Sequence, residues 1–226
     1  MSSELPKSFA SGHIPALDGI RGLAVTMVVL LHFLTAAVPQ NFLEKVLLMA
    51  AGKGAAFLDL FFVLSGFLIT GILLDSKEQN RFFSRFFIRR TLRIFPLFYA
   101  VLICVTLFVY CEPEIAGLEG ERFREAAPWA WTYLYNFFLV AKGEWYITSV
   151  DHFWSLAVEE QFYFVWPFAI YFISRRGIGV LCGWAVFVAS LLYVFMHHAG
   201  YSHVALHVFT PLSVHSHVCG ILKDWC

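Results

Sequence analysis

The sequence is short of charge. Asp, Glu, Lys and Arg make up 14% of its 226 residues, against about a quarter in a typical soluble domain. Its 16 basic and 16 acidic residues cancel, so no net positive field draws in nucleic acid, and none is expected as a partner. Cysteine is sparse and unpaired in pattern. The five residues Cys104, Cys111, Cys182, Cys219 and Cys226 are odd in number and show no C-x-x-C spacing, which argues against a disulfide framework or a metal knuckle. No linker, repeat or low-complexity stretch interrupts the chain. Residues 1–13 form a short polar tail without the layout of a secretory leader. What is abundant is apolar mass. Hydrophobic residues reach 59%, Phe alone contributes 25 residues, and mean hydropathy is +0.69. Such a composition excludes a disordered chain and an ordinary soluble globule, and points to a protein of the lipid bilayer.

A spanning helix needs about 20 mostly apolar residues. Five runs meet that length, at about 17–38, 55–74, 94–111, 153–173 and 178–196. The run 129–140 is too short to cross and reads as re-entrant or interfacial. A last apolar fragment covers about 212–222. The expected fold is all-α, a polytopic transmembrane bundle of about five spans with a re-entrant segment and a C-terminal fragment. Loop charge sets the orientation. Residues 75–93 hold six basic against two acidic residues, and Arg175 and Arg176 follow the fourth span. The positive-inside rule places both in the cytoplasm, together with the N-terminus. Residues 112–128 hold five Glu against two Arg, and the loops 39–54 and 112–152 are expected to face outward.

Ionisable groups inside such helices are costly, so each is a functional candidate. Arg21 and His32 are eleven positions apart. At about 100° and 1.5 Å per residue they share one face, separated by roughly 16 Å. A fixed cation low in the membrane suits a phosphate, and an imidazole deeper in suits a general base. Snorkelling and an interhelical hydrogen bond are the plainer readings. Arg81, Arg85, Arg89 and Arg93 recur every four residues, with Arg90 beside them. They form a stripe that fits either bound phosphate or an anionic lipid surface. Pro96 follows, in the expected first turn of the third span. In the fourth span, Glu159 and Glu160 stand side by side, with Ser155 and His152 on nearly the same face as Glu159. A buried ion pair and a catalytic role both fit. Ser65 and Gly66 in the second span suit close helix approach, and Asp59 is a further candidate partner. His203 and His207 are i,i+4, yet no carboxylate or thiol stands at a supporting spacing, so no metal is expected.

Four stretches together resemble the acyltransferase type 3 family of multi-pass membrane proteins. They are IPALDGIRGLAVTMVVLLHF (14–33), LDLFFVLSGFLIT (58–70), RFFIRRTLRIFP (85–96) and HFWSLAVEEQFYFVWP (152–167). Their order and spacing match the family's, from residue 14 to about 196. The resemblance implies transfer of an acyl group, usually acetyl from acetyl-CoA, to a hydroxyl of a cell-envelope carbohydrate. That carbohydrate is typically lipopolysaccharide, exopolysaccharide or a similar glycan or glycolipid. It implies that His32 is the essential catalytic histidine and that Arg21 helps hold the donor. It places Arg89, Arg90 and Arg93 in acyl-CoA binding and brings Glu159 and Glu160 into the site. The implied setting is the bacterial cytoplasmic membrane, with acyl-CoA, a glycan acceptor and the bilayer as partners and a homo-oligomer as an option. The family has more spans than this chain shows, and near 210–222 the sequence TPLSVHSHVCGIL lacks the family's arginine and aspartate. Residues 14–222 are therefore expected to be a membrane domain incomplete at its C-terminal end. An inactive remnant or a modulator of a full-length relative is the rival expectation. A transporter that uses Arg21, His32 and Glu160 as a polar path is a third.

Overall fold

The computed structural model describes residues 54–211 and, earlier in the chain, Gly19, Gly22, Leu23 and Thr26. Arg21, His32 and the fragment 212–222 lie outside the described residues. Among residues 54–211 the chain forms seven helices and no strand: α1 (Gly54–Ser76), α2 (Phe82–Cys111), α3 (Pro113–Trp131), α4 (Tyr135–Lys142), α5 (Phe153–Phe172), α6 (Arg175–His198) and α7 (His203–Val208). The all-α expectation holds.

Among the described residues, three helices are long and apolar enough to cross a membrane: Leu58–Ser76, Phe82–Cys111 and Arg175–His198. Only 17% of the apolar stretch of α2, and the same share in α6, is buried. Leu92, Leu97, Leu107, Val180, Trp184 and Phe195 are exposed. A helix exposing this much Leu, Val and aromatic surface is suited to lipid. The 20 residues of α5 give about 30 Å, the length of a span, but α5 is not one of the three. Glu159, Glu160 and Gln161 in succession lower its hydropathy.

The chain divides into two compact units. One takes in residues 1–76, 179–186 and 215–226, and its described part includes α1. There Ser65 and Gly66 are buried, and the Thr70 hydroxyl donates to the Gly66 carbonyl at 2.7 Å, returning to the preceding turn as a threonine in an apolar helix does.

The other unit, residues 77–178 and 187–214, holds α2 to α5 and α7. Within it α2 and α5 run antiparallel in a constant register. Phe82 meets Tyr171 at 5.6 Å, Phe83 meets Phe168 at 5.0 Å, Phe87 meets Phe164 at 6.3 Å and Phe98 meets Phe153 at 5.1 Å between ring centroids. The pairing brings the start of α2 to the end of α5, where the Lys77 ammonium donates to the Ile173 carbonyl at 3.2 Å. A cation there satisfies a helix C-terminus. The basic clusters 77–93 and 174–176 thus share one end, as the loop-charge reading requires.

Two expectations change. The segment 82–93 is not a surface helix ahead of a separate span. It is the first part of α2, and Pro96 lies inside that helix rather than in its first turn. There it removes one i→i−4 hydrogen bond and crowds the preceding turn, a cost confined to that turn of the helix. The acidic stretch 112–128 is not an open loop but most of α3, broken at Gly117 (φ 51°, ψ −139°). A residue with a Cβ is excluded from that backbone region, so glycine makes the bend possible. Arg124 ties α3 back to α2 through the Val109 carbonyl at 3.0 Å. The short run 129–140 falls at the break between α3 and α4. The 8 residues of α4 span only about 12 Å, in keeping with a segment that does not cross.

Candidate functional site

Two of the sequence-predicted site residues meet in the middle of the α2–α5 pair. Arg90 Nη2 lies 3.4 Å from Glu159 Oε1, and their side chains are 10% and 6% exposed. The Arg90 guanidinium carbon sits 3.4 Å from the centroid of the Tyr163 ring. The Tyr163 hydroxyl donates to the same Glu159 oxygen. Tyr163 is one helical turn beyond Glu159, so a single turn of α5 supplies both the counter-charge and the π-face for one arginine. A planar guanidinium is the cation suited to being stacked and paired at once.

Arg89 and Arg93 point elsewhere. Both are exposed, as are Arg81 and Arg85. The i,i+4 stripe therefore lies on the outside of α2, while Arg90, one position round, turns inward. The five arginines are two sets: an exposed row able to meet an anionic group, and one buried residue already committed to Glu159.

Glu160 belongs to a different wall of the same region. Its Oε1 is buried without a hydrogen-bond partner among the described residues. Glu160 stands between Glu159 and Gln161, which contact Arg90 and the Tyr133 carbonyl at 3.4 and 2.8 Å. Tyr133 lies between α3 and α4 with φ 55°, a left-handed conformation uncommon for an aromatic residue. Its ring stacks on Phe98 at 4.3 Å and on Phe95 at 5.5 Å. Burial first, and the Glu160 charge second, hold the Tyr133 phenol above its ordinary value, so it is a hydroxyl donor at physiological pH.

Next to Glu160, Gln161 anchors a cyclic hydrogen-bond network. Asn136 Nδ2 donates to Thr210 Oγ1 at 2.6 Å, Thr210 Oγ1 donates to Gln161 Oε1 at 2.6 Å, and Gln161 Nε2 donates to Asn136 Oδ1 at 3.0 Å. Gln161 Nε2 also reaches the Tyr133 carbonyl at 2.8 Å. Three elements, α4, α5 and the chain after α7, are thereby fixed to one another and to the strained tyrosine. The approach to α5 is organised by Asp151, whose Oδ1 accepts from the Tyr135 hydroxyl at 2.6 Å and from the backbone N–H groups of Ile147 and Tyr146 at 3.0 and 3.2 Å.

Tyr163, Tyr133, Asn136, Gln161 and Thr210 were not singled out from the sequence. The available signals were a third consecutive polar residue after Glu159 and Glu160, and an Asn inside the apolar run 129–140. Of the histidines, His207 packs its ring on Trp154 at 4.8 Å, and His203 is exposed. Among the described residues no group of three or more His, Cys, Asp or Glu is placed to hold a metal ion. Asp59 is exposed on α1.

A family model described as an acyltransferase domain matches residues 14–214. The chain belongs to this acyltransferase family. Among curated relatives, a peptidoglycan O-acetyltransferase, OatA, of Listeria monocytogenes is 34% identical over 169 residues, covering 70% of this chain and 24% of the relative. An O-acetyltransferase OatA of Staphylococcus aureus is 29% identical over 180 residues, 76% of this chain and 27% of the relative. A protein of Haemophilus influenzae is 33% identical over 130 residues, 53% of this chain and 50% of the relative. The chain thus spans about a quarter of the length of the two acetyltransferases. No solved structure gives a significant match.

Proposed function

We propose that the chain is the membrane part of an O-acetyltransferase that moves an acetyl group from acetyl-CoA to a hydroxyl of a cell-envelope glycan. The observation that carries this reading is the extent of the family match. It takes in Arg21, His32, the Arg89–Arg93 segment and the Glu159–Glu160 pair together. The name of the Listeria monocytogenes relative favours peptidoglycan over lipopolysaccharide or exopolysaccharide as the acceptor. The membrane is the bacterial cytoplasmic membrane, with the basic end of α2 and α5 and the N-terminus on the cytoplasmic side.

The chain's own residues suit the chemistry. Coenzyme A carries several phosphates, and the exposed Arg89 and Arg93, on one face of α2, offer donors to them. Arg21 is the further donor ligand. His32 is the base: its imidazole takes the proton of the acceptor hydroxyl as that oxygen bonds to the thioester carbonyl carbon. The carbon–sulfur bond then breaks, and the CoA thiolate takes up the proton. Glu159 serves by holding Arg90, and Glu160 is the carboxylate left available to the reaction.

The test is ester-linked acetyl on envelope glycan in a host lacking its own enzyme, complemented with this chain, its His32→Ala variant or empty vector, with membrane levels matched by immunoblot. Ester restored by the chain and lost in His32→Ala is expected. No ester from the chain at matched expression overturns the reading in favour of a non-catalytic modulator.

A further inference from the structure

Four buried side-chain atoms lack a hydrogen-bond partner among the described residues: Ser65 Oγ, Arg90 Nε, Tyr133 Oη and Glu160 Oε1. Ser65 stands in the other unit. The remaining three belong to one neighbourhood, since Arg90 pairs with Glu159 at 3.4 Å and the Tyr133 carbonyl accepts from Gln161 at 2.8 Å, the residues on either side of Glu160. A single buried orphan costs about 1–3 kcal/mol, and buried polar groups in native proteins are ordinarily satisfied. Three such atoms gathered around one turn of α5, of complementary types and not bonded to one another, call for a common partner.

Their chemistry defines that partner. Arg90 Nε can only donate, the Glu160 carboxylate accepts, and the Tyr133 hydroxyl does both. An anion is disfavoured by the Glu160 carboxylate, since Arg90 is already paired with Glu159, and an apolar chain would satisfy none of the three. A ligand with several hydroxyls, each both donor and acceptor, meets all of them. The walls agree. The Tyr133 ring stacks on Phe98 and Phe95, and Tyr99 meets all three edge-on while stacking on Trp131 at 5.7 Å. Aromatic faces beside a few fixed polar groups are the usual make-up of a pocket for a neutral, amphipathic ligand. The backbone agrees as well. A tyrosine at φ 55° stores strain that persists only when its surroundings impose it. Here the imposing contact is Gln161 Nε2 on the Tyr133 carbonyl, locked in place by Asn136 and Thr210.

We propose that Arg90 Nε, the Tyr133 hydroxyl and Glu160 Oε1 form a subsite for the hydroxyl groups of a carbohydrate, which, granted the acetyltransferase reading above, is the acceptor glycan. The Gln161–Asn136–Thr210 ring is the device that positions Tyr133 in it.

The experiment uses the whole chain purified in detergent, with the disaccharide of N-acetylglucosamine and N-acetylmuramic acid as probe and titration calorimetry as readout. Tyr133→Phe and Glu160→Gln are each expected to weaken disaccharide binding about tenfold or more, which is about 1.4 kcal/mol, with coenzyme A binding unchanged. Neither atom has a hydrogen-bond partner among the described residues, so the thermal midpoint of both variants stays at or above that of the parent chain, an outcome that a structural role would not give. Disaccharide affinity equal to the parent's in both variants overturns the proposal. So does a parent chain that binds coenzyme A but no disaccharide, or one whose site is filled by tetramethylammonium instead. Envelope ester that still depends on His32 alongside any of these results leaves the acetyltransferase reading standing and removes only the subsite.

Discussion

The Tyr163 ring lies 3.4 Å from the Arg90 guanidinium carbon, and its hydroxyl donates to the carboxylate that neutralises that same arginine. One side chain therefore supplies a π-face to the cation and a hydrogen bond to the anion. A desolvated cation–π contact is worth about 2 kcal/mol. Leaving either member of a buried ion pair alone costs about 3–5 kcal/mol.

Arg90→Lys is expected to lower the thermal midpoint of the detergent-solubilised protein, because an ammonium keeps the charge but cannot stack flat on Tyr163 while reaching Glu159. Glu159→Ala is expected to lower it further. Arg89→Lys and Arg93→Lys, on the exposed face, should change stability by less than about 0.5 kcal/mol. Equal shifts at positions 89 and 90 would show that Arg90 is not buried and paired as described.

The closed ring of Asn136, Gln161 and Thr210 satisfies every donor it contains. Gln161→Leu leaves the Thr210 hydroxyl, Asn136 Oδ1 and the Tyr133 carbonyl short of partners, and is expected to destabilise by about 2–3 kcal/mol. Thr210→Val breaks the same ring at another point. The double variant should therefore cost clearly less than the two single losses combined. Chemical unfolding of the three variants gives the comparison. Full additivity would mean that the residues do not act as one network.

The helical architecture was readable because bilayer crossing demands long apolar runs, and α1, α2 and α6 have them. The antiparallel α2–α5 register was implicit in the shared sign of 77–93 and 174–176. The identity of the inward arginine was not readable. A period of four selects Arg81, Arg85, Arg89 and Arg93 as a face, and that face is the exposed one. Arg90 breaks the period, and only the position of Glu159 and Tyr163 on a helix 69 residues away in sequence from Arg90 to Glu159 reveals why it points inward. The Gln161 ring was hidden for the same reason. Its members come from 136, 161 and 210, and nothing local ties an amide on one helix to a hydroxyl two elements later. The helical state of 112–128 was missed because a Glu-rich segment reads as solvated loop, whereas Glu119 and Glu125 turn out to bind the 143–149 loop through Thr148 N–H and Tyr146 Oη.

Asp151 gives a prediction in pH. Burial raises its carboxyl above the ordinary value, and the hydrogen bonds from Tyr135, Ile147 and Tyr146 offset that rise only in part. The folded protein then holds this proton more tightly than the unfolded chain. Its contribution is fully favourable below the unfolded value of about 3.9 and is lost as pH climbs through the raised folded value. Asp151→Asn cannot titrate and keeps an oxygen for the same three donors. The midpoint of Asp151→Asn relative to the parent is therefore expected to improve as pH rises from about 4 toward 6. A difference that stays flat, or moves the other way, would show that the hydrogen bonds outweigh burial.

The exposed arginine row separates a donor-binding role from a lipid-anchoring one. If Arg89 and Arg93 meet the phosphates of coenzyme A, then Arg89→Gln and Arg93→Gln raise KM for acetyl-CoA, with little effect on kcat or on the thermal midpoint, since the contact is equally strong before and during reaction. Both residues are exposed, so the attraction is screened, with a Debye length of about 30 Å at 0.01 M salt and about 8 Å at 0.15 M. The KM difference between parent and variants should accordingly be largest at low ionic strength and shrink as salt is added. A row that serves only the membrane surface gives a different result. The variants would then show the parent's KM at every salt concentration, and the change would appear in binding of the detergent-solubilised protein to vesicles containing anionic lipid, which falls by about 1 kcal/mol for each cation removed. Initial-rate kinetics over a salt series, run beside vesicle sedimentation, decides between the two.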